Sequence, residues 1–208
     1  RSTLFPYTTL FRSLELLLPA FCDIVSHTTR PPRLNNSRPE IDGVDYHFID
    51  LATADQMLQR HEFIEAKFVH GTVYGTSVAE LKAIHDDGRT AITDIDVQGV
   101  AEYEAMSPDC IAIFIVPPDF KTWMTRLKSR YATEAEFQAE WPKRRNSAIK
   151  ELAHVLEVSY YHVIINDDLE RAVRVCREII ERGDVFVRQD DEARLVARDL
   201  LEVLQAEG

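Results

Sequence analysis

Ser26-His27-Thr28-Thr29-Arg30-Pro31-Pro32-Arg33, followed after a short gap by Glu40-Ile41-Asp42-Gly43-Val44-Asp45-Tyr46, is the stretch on which the reading of this chain turns. Pro31 and Pro32 lack backbone donors and resist both helix and strand ladder, so they present Arg30 and Arg33 as two fixed guanidinium forks. A planar fork matches a phosphate more closely than any other side chain does. Taken alone, an Arg-x-x-Arg turn also describes a solvated basic loop. The segments downstream decide between these readings.

Those segments are Glu65-Ala66-Lys67-Phe68-Val69-His70-Gly71-Thr72-Val73-Tyr74-Gly75-Thr76 and Thr93-Asp94-Ile95-Asp96-Val97-Gln98-Gly99. In this order the four segments closely resemble guanylate kinase, and the resemblance runs without a break from about Cys22 to about Ile180. It implies an α/β fold of the P-loop nucleoside monophosphate kinase type: a parallel sheet flanked by helices, a small β-rich GMP-binding subdomain over about 34–88, and a helical lid over about 126–147. It also implies two small-molecule substrates, GMP and ATP, with magnesium.

Recognising guanine requires acceptors for its N1–H and N2 amino protons. A carboxylate meets that need with charge-assisted bonds that adenine, lacking those donors, cannot satisfy. By resemblance Glu65 and Asp94 fill this role, with Ser26 and Thr76 reaching O6 and the base edge and Gly75 beside them. The phosphate grip implied is Arg30, Tyr46 and Tyr74, with Glu40 in the same segment. Leu34-Asn35-Asn36-Ser37-Arg38-Pro39 lengthens the family's usual link, so either Arg33 or Arg38 serves as the second phosphate arginine. Asp96, two residues beyond Asp94, is placed to hold a magnesium-bound water. Among the lid arginines Arg126, Arg130, Arg144 and Arg145, the resemblance points to Arg130 and Arg144 as catalytic and ATP-binding. This chain has Tyr131 where the family carries glycine, and about three extra residues separate Arg130 from Arg144, so the register stays open. Asn166 resembles the asparagine near the donor adenine.

The family begins with a strand, a glycine-rich phosphate loop and a helix, but the first glycine here is Gly43 and no Gly-x-x-x-x-Gly-Lys occurs. Residues 3–13, Thr-Leu-Phe-Pro-Tyr-Thr-Thr-Leu-Phe-Arg-Ser, read codon for codon as a translated sequencing-library adapter. Residues 1–13 are therefore expected to be a non-biological leader outside the fold, with the guanylate-kinase-like domain over 14–208. Without the backbone N–H cradle and its lysine, the polypeptide as written is expected to lack the ATP phosphate site and to be inactive.

With 208 residues, 45% apolar and 28% charged, the chain is long enough for one domain with a substantial core. A net charge of −11, or −13 once Arg1 and Arg12 are set aside, argues against nucleic acid and anionic membranes as partners. Cys22, Cys110 and Cys176 are odd in number and widely spaced, as expected of a reducing, cytoplasmic setting.

Alternation predicts strands over Cys22–Ser26, Val44–Ile49 and Phe63–Val69. β-Branched apolar runs over Arg89–Asp96, Cys110–Val116 and His162–Ile165 suit central parallel strands. Helices are expected from a capping box at Thr53, from Thr76 or Ser77 to about His85, from Asp119 to about Arg130, from Thr133 to about Glu157, and from Asn166-Asp167-Asp168 to Gly183. Residues 190–206 form an amphipathic helix with no assigned role. The function implied is transfer of the γ-phosphoryl of ATP to GMP, giving GDP, by positioning and electrostatics rather than through a covalent enzyme intermediate. The alternative is a guanylate-kinase-like module that recognises protein partners without catalysis.

Overall fold

The computed structural model describes residues 20–35, 38–69, 71–106, 109–182 and 187–206. The expectations for the leader, for His70 and for the helix end at Gly183 lie outside them. The described parts of 17–93 and 101–108 form one compact unit, and those of 94–100 and 109–208 form another.

In the first unit, β1 (Phe21–Asp23) pairs in parallel with β8 (Thr90–Ile92), Cys22 opposite Ala91. A parallel pair needs a long crossover, and here the crossover contains a second, mixed sheet. Its strands are β2 (His27–Thr28), β5 (His47–Phe48), β6 (Phe63–Val69) and β7 (Thr72–Ser77), in the order β5-β2-β7-β6. The hairpin joining β6 to β7 turns at Gly71, whose φ of 83° is in the left-handed region that glycine adopts without strain. The lengthened link folds on itself as a short hairpin of β3 (Leu34–Asn35) and β4 (Arg38–Pro39).

The strands expected over Cys22–Ser26 and Arg89–Asp96 end early, at Asp23 and Ile92, so Asp94 and Asp96 follow the strand rather than lie on it, and two further boundaries differ from the sequence pattern for local reasons. Of the strand expected over Val44–Ile49 only His47–Phe48 joins the sheet, because the Asp45 carboxylate accepts from Ile41 N at 2.8 Å and Gly43 N donates to Tyr46 O, where Tyr46 bridges Asp42 instead. Those turn bonds compete with the ladder. Helix α1 (Leu51–Gln59) starts at Asp50 rather than Thr53, since the Asp50 carboxylate already accepts from Thr53 N at 2.7 Å. Helix α2 (Val78–Asp86) is capped by Ser77, the last residue of β7, so strand and helix join without a loop.

Helix α3 (Val97–Met106) begins in one unit and ends in the other. The second unit is built on β9 (Ala112–Val116) paired in parallel with β10 (Tyr161–Ile165). Helices α4 (Phe120–Lys128) and α5 (Glu134–Glu157) start at Asp119 and Thr133, whose side chains accept from Thr122 N and Glu136 N. They are followed by α6 (Leu169–Arg182) and α7 (Val187–Ala206). Val116, Trp123, Leu127, Leu152 and Val155 are buried at the centre of this unit.

The amphipathic tail finds its role here. Ala193, Ala197, Leu200 and Leu204 recur every three or four residues, form one face of α7, and are buried in the core beside α5 and β10. Arg194 ties the helix down by donating to Val155 O at 3.0 Å and Tyr161 O at 2.7 Å. Arg145 donates from Nε to Leu204 O at 2.7 Å, satisfying a carbonyl in the last turn of α7. No helix among the described residues is long and apolar enough to cross a membrane.

Candidate active site

The mixed sheet of the first unit brings together most of the residues singled out for the acceptor. Antiparallel register sets Glu65 opposite Thr76, and Thr76 Oγ1 donates to Glu65 Oε1 at 3.0 Å with Thr76 fully buried. That bond helps to fix the orientation of the Glu65 carboxylate. Gly75 makes this packing possible: a Cβ there would lie 2.8 Å from Glu65 O and 2.9 Å from Phe63 Cδ1. Ser26 precedes β2, where its carbonyl accepts from His47 N at 2.9 Å.

Arg30 follows β2 and is buried, with side-chain exposures of 7% for Arg30 and 9% for Glu40. Their forks meet head on: Arg30 Nη1 donates to Glu40 Oε2 at 2.5 Å and Nη2 to Glu40 Oε1 at 2.8 Å. Nη1 also donates to Pro31 O at 3.0 Å. The guanidinium lies over the Tyr46 ring at 4.8 Å, with the Phe48 ring at 5.8 Å, and Tyr46 meets Tyr74 edge to face at 6.2 Å. The Arg30 hydrogen bonds pull the Glu40 carboxyl down to about 2, and the same pair raises Arg30 further above its ordinary value, with Tyr74 contributing a bond.

Glu40 Oε2 also accepts from Arg33 N at 2.8 Å, while Glu40 N donates to Arg33 O. Arg38 instead reaches Asp45, 3.4 Å away, with its side chain 61% exposed. Of the two candidates for second phosphate arginine, Arg33 is joined to the Arg30 cluster through its backbone, whereas the Arg38 side chain is turned to Asp45.

Sequence reasoning did not single out Phe48 or a histidine pair beneath the site. The His27 and His47 rings are 4.7 Å apart, His47 Nε2 is 3.1 Å from Glu80 Oε2, and Phe63 meets His27 edge to face. Burial, then the neighbouring His47, lowers the His27 pKa. Alternation along β2 was the available signal, since it turns His27 to the face opposite Thr28.

The remaining candidates belong to the second unit. Asp94 and Asp96 lie between β8 and α3, and Asp96 Oδ1 accepts from Gln98 N at 3.1 Å and Gly99 N at 3.0 Å, capping the start of α3. The four arginines between 126 and 145 make different contacts. Arg126 donates to Asn166 O at 2.7 Å, bracing the turn after β10, and Arg145 is committed to α7. Arg130 is exposed just beyond α4, and Arg144 donates from Nε to the Tyr131 hydroxyl at 3.2 Å. Tyr131 is itself held edge to face against Phe137, 5.6 Å between centroids, and Phe137 stacks on Trp141. The residue standing where the family carries glycine thus touches one of the two arginines chosen by resemblance.

Comparison with known proteins gives the family. The family model described as guanylate kinase matches residues 13–183. A guanylate kinase from Syntrophotalea carbinolica is 38% identical over 173 residues, covering 83% of this chain and 78% of that protein. One from Methylococcus capsulatus is 33% identical over 196 residues, covering 93% and 91%. Guanylate kinase 1 of Oryza sativa subsp. japonica is 39% identical over 161 residues, and the match spans only 40% of that longer protein. Among solved structures, guanylate kinase from Anaplasma phagocytophilum superposes with a TM-score of 0.62 at 26% identity, covering 94% of this chain and 89% of that one.

Proposed function

The chain belongs to the guanylate kinase family, and on that premise we propose that it binds GMP as phosphoryl acceptor for transfer from ATP, giving GDP. The observation that carries this reading is the pairing of two functions on one small sheet. Glu65, steadied by Thr76, offers an acceptor for guanine N–H groups, and the Arg30 cluster with Tyr46 and Tyr74 offers donors for a phosphate. In this reading residues 34–88 are the core of the GMP-binding part, and 126–147 supply the lid.

For transfer, Arg130 and Arg144 bring positive charge to the phosphates, and Asn166 lies near the donor base. Charge placed where the phosphoryl group develops its negative charge lowers the barrier without a covalent enzyme intermediate. Magnesium offsets phosphate charge when bound. Among the described residues no cluster of three ligating side chains exists, so Asp96 would hold the ion through its water shell while nucleotide phosphates complete it, as suits a cation that keeps its waters. The three free cysteines are in keeping with a reducing cytoplasm.

Calorimetric titration tests the acceptor site directly. GMP is expected to bind in preference to AMP and UMP. Glu65→Gln should weaken GMP by about 1.5 to 3 kcal/mol, the worth of one hydrogen bond to a charged group, while changing AMP little. Equal affinity for GMP and AMP would remove guanine recognition from the proposal.

A further inference from the structure

A guanidinium carries five N–H groups, and the position of Glu40 determines which of them Arg30 can offer a phosphate. Glu40 takes one proton from each of Nη1 and Nη2, and Pro31 O takes the second proton of Nη1. The head-on fork is therefore closed by the protein's own carboxylate. What remains is the side edge, formed by Nε–H and the second proton of Nη2, where the Tyr74 hydroxyl also bonds the guanidinium, so a phosphate would meet that edge together with Tyr74.

We infer that Glu40 is a positioning residue: by closing the head-on fork of Arg30 and bonding Arg33 N, one carboxylate turns the side edge of Arg30 and the Arg33 side chain toward the GMP phosphate. This inference rests on the GMP reading above and adds a role for a residue that need not touch the nucleotide.

Three features fit it. Both carboxylate oxygens are used, Oε1 by Arg30 and Oε2 by Arg30 and by Arg33 N, so the group ties together residues ten and seven positions before it. The pair is buried and the guanidinium lies against the Tyr46 and Phe48 rings, where it cannot rotate unless its partner lets go. A carboxylate contacting a phosphate directly would repel it, whereas one behind the arginine cancels part of its charge and keeps its geometry.

The test uses the full chain and two ligands that differ only in the phosphate: GMP and guanosine, each titrated calorimetrically into wild type, Glu40→Gln and Glu40→Asp. Wild type is expected to bind GMP more tightly than guanosine. Glu40→Gln is expected to lose roughly 10- to 100-fold in GMP affinity, as for a broken buried charged hydrogen bond, with guanosine affinity held within about twofold. Glu40→Asp keeps the charge but is one methylene short of spanning both arginine segments, and it is expected to fall between the two. It also carries the test if Glu40→Gln shows no cooperative melt. GMP affinity that survives both variants, or GMP and guanosine affinities that fall together in folded protein, would overturn the positioning role. A wild type that binds GMP no better than AMP would instead overturn the GMP reading itself, so the two failures are distinguishable.

Discussion

At the scale of single residues, the pH dependence of stability isolates the Arg30–Glu40 pair. The Glu40 carboxyl is held at about 2 by Arg30, against 4.5 ordinarily, so the folded chain binds fewer protons there than the unfolded chain does. The sign follows. Its contribution is fully present above about pH 4.5 and is lost as pH falls toward 2. Urea unfolding at pH 5, 4 and 3 should show wild type and Glu40→Gln converging as the medium becomes more acidic, because only wild type has this carboxylate to protonate. A gap that stays constant over that range would mean that Glu40 stabilises by shape rather than charge. Tyr131 shows the complementary case, in which a residue unlike the family's own reveals a contact, to Arg144, that no motif could announce.

Among the elements, the β6–β7 hairpin is where fold and chemistry are most tightly joined. Its register places Thr76 against Glu65, and that register depends on the close approach at Gly75. Gly75→Ala is expected to force backbone apart at Glu65 O, costing about 1 to 3 kcal/mol, as for other overpacked sites. It should also weaken GMP binding by misplacing the Glu65 carboxylate. Chemical denaturation and a GMP titration on the same variant check both halves. An alanine variant as stable as wild type would show that β6 yields easily and that glycine is not required there.

For the molecule as a whole, the tail is the decisive case. Residues 190–206 read as an amphipathic helix with no assigned role, and its apolar stripe completes the core of the second unit. Leu204→Ala, at a fully buried position in the last turns of α7, is expected to cost about 2 to 5 kcal/mol in the urea unfolding free energy. Arg145, which donates to Leu204 O, ties the same end of α7 to α5. A Leu204→Ala variant that unfolds at the wild-type midpoint would mean that α7 is an appendage.

The sequence by itself determined the family and several helix starts, because these are written in local terms. Phosphate forks before prolines, a carboxylate at fixed spacing from a glycine turn, and caps at Ser77, Asp119 and Thr133 each depend on residues a few positions away. Only the tertiary structure decided which acceptor each arginine meets. The guanidinium groups of Arg38, Arg126, Arg144 and Arg145 are alike as letters, yet they meet Asp45, the turn after β10, the Tyr131 hydroxyl and the end of α7, while Arg33 reaches the Glu40 carboxylate through its backbone N–H. The physical reason is that a guanidinium's role is set by whichever acceptor lies within 3 to 3.5 Å of its five N–H groups, and those acceptors are brought there by segments up to 59 residues away.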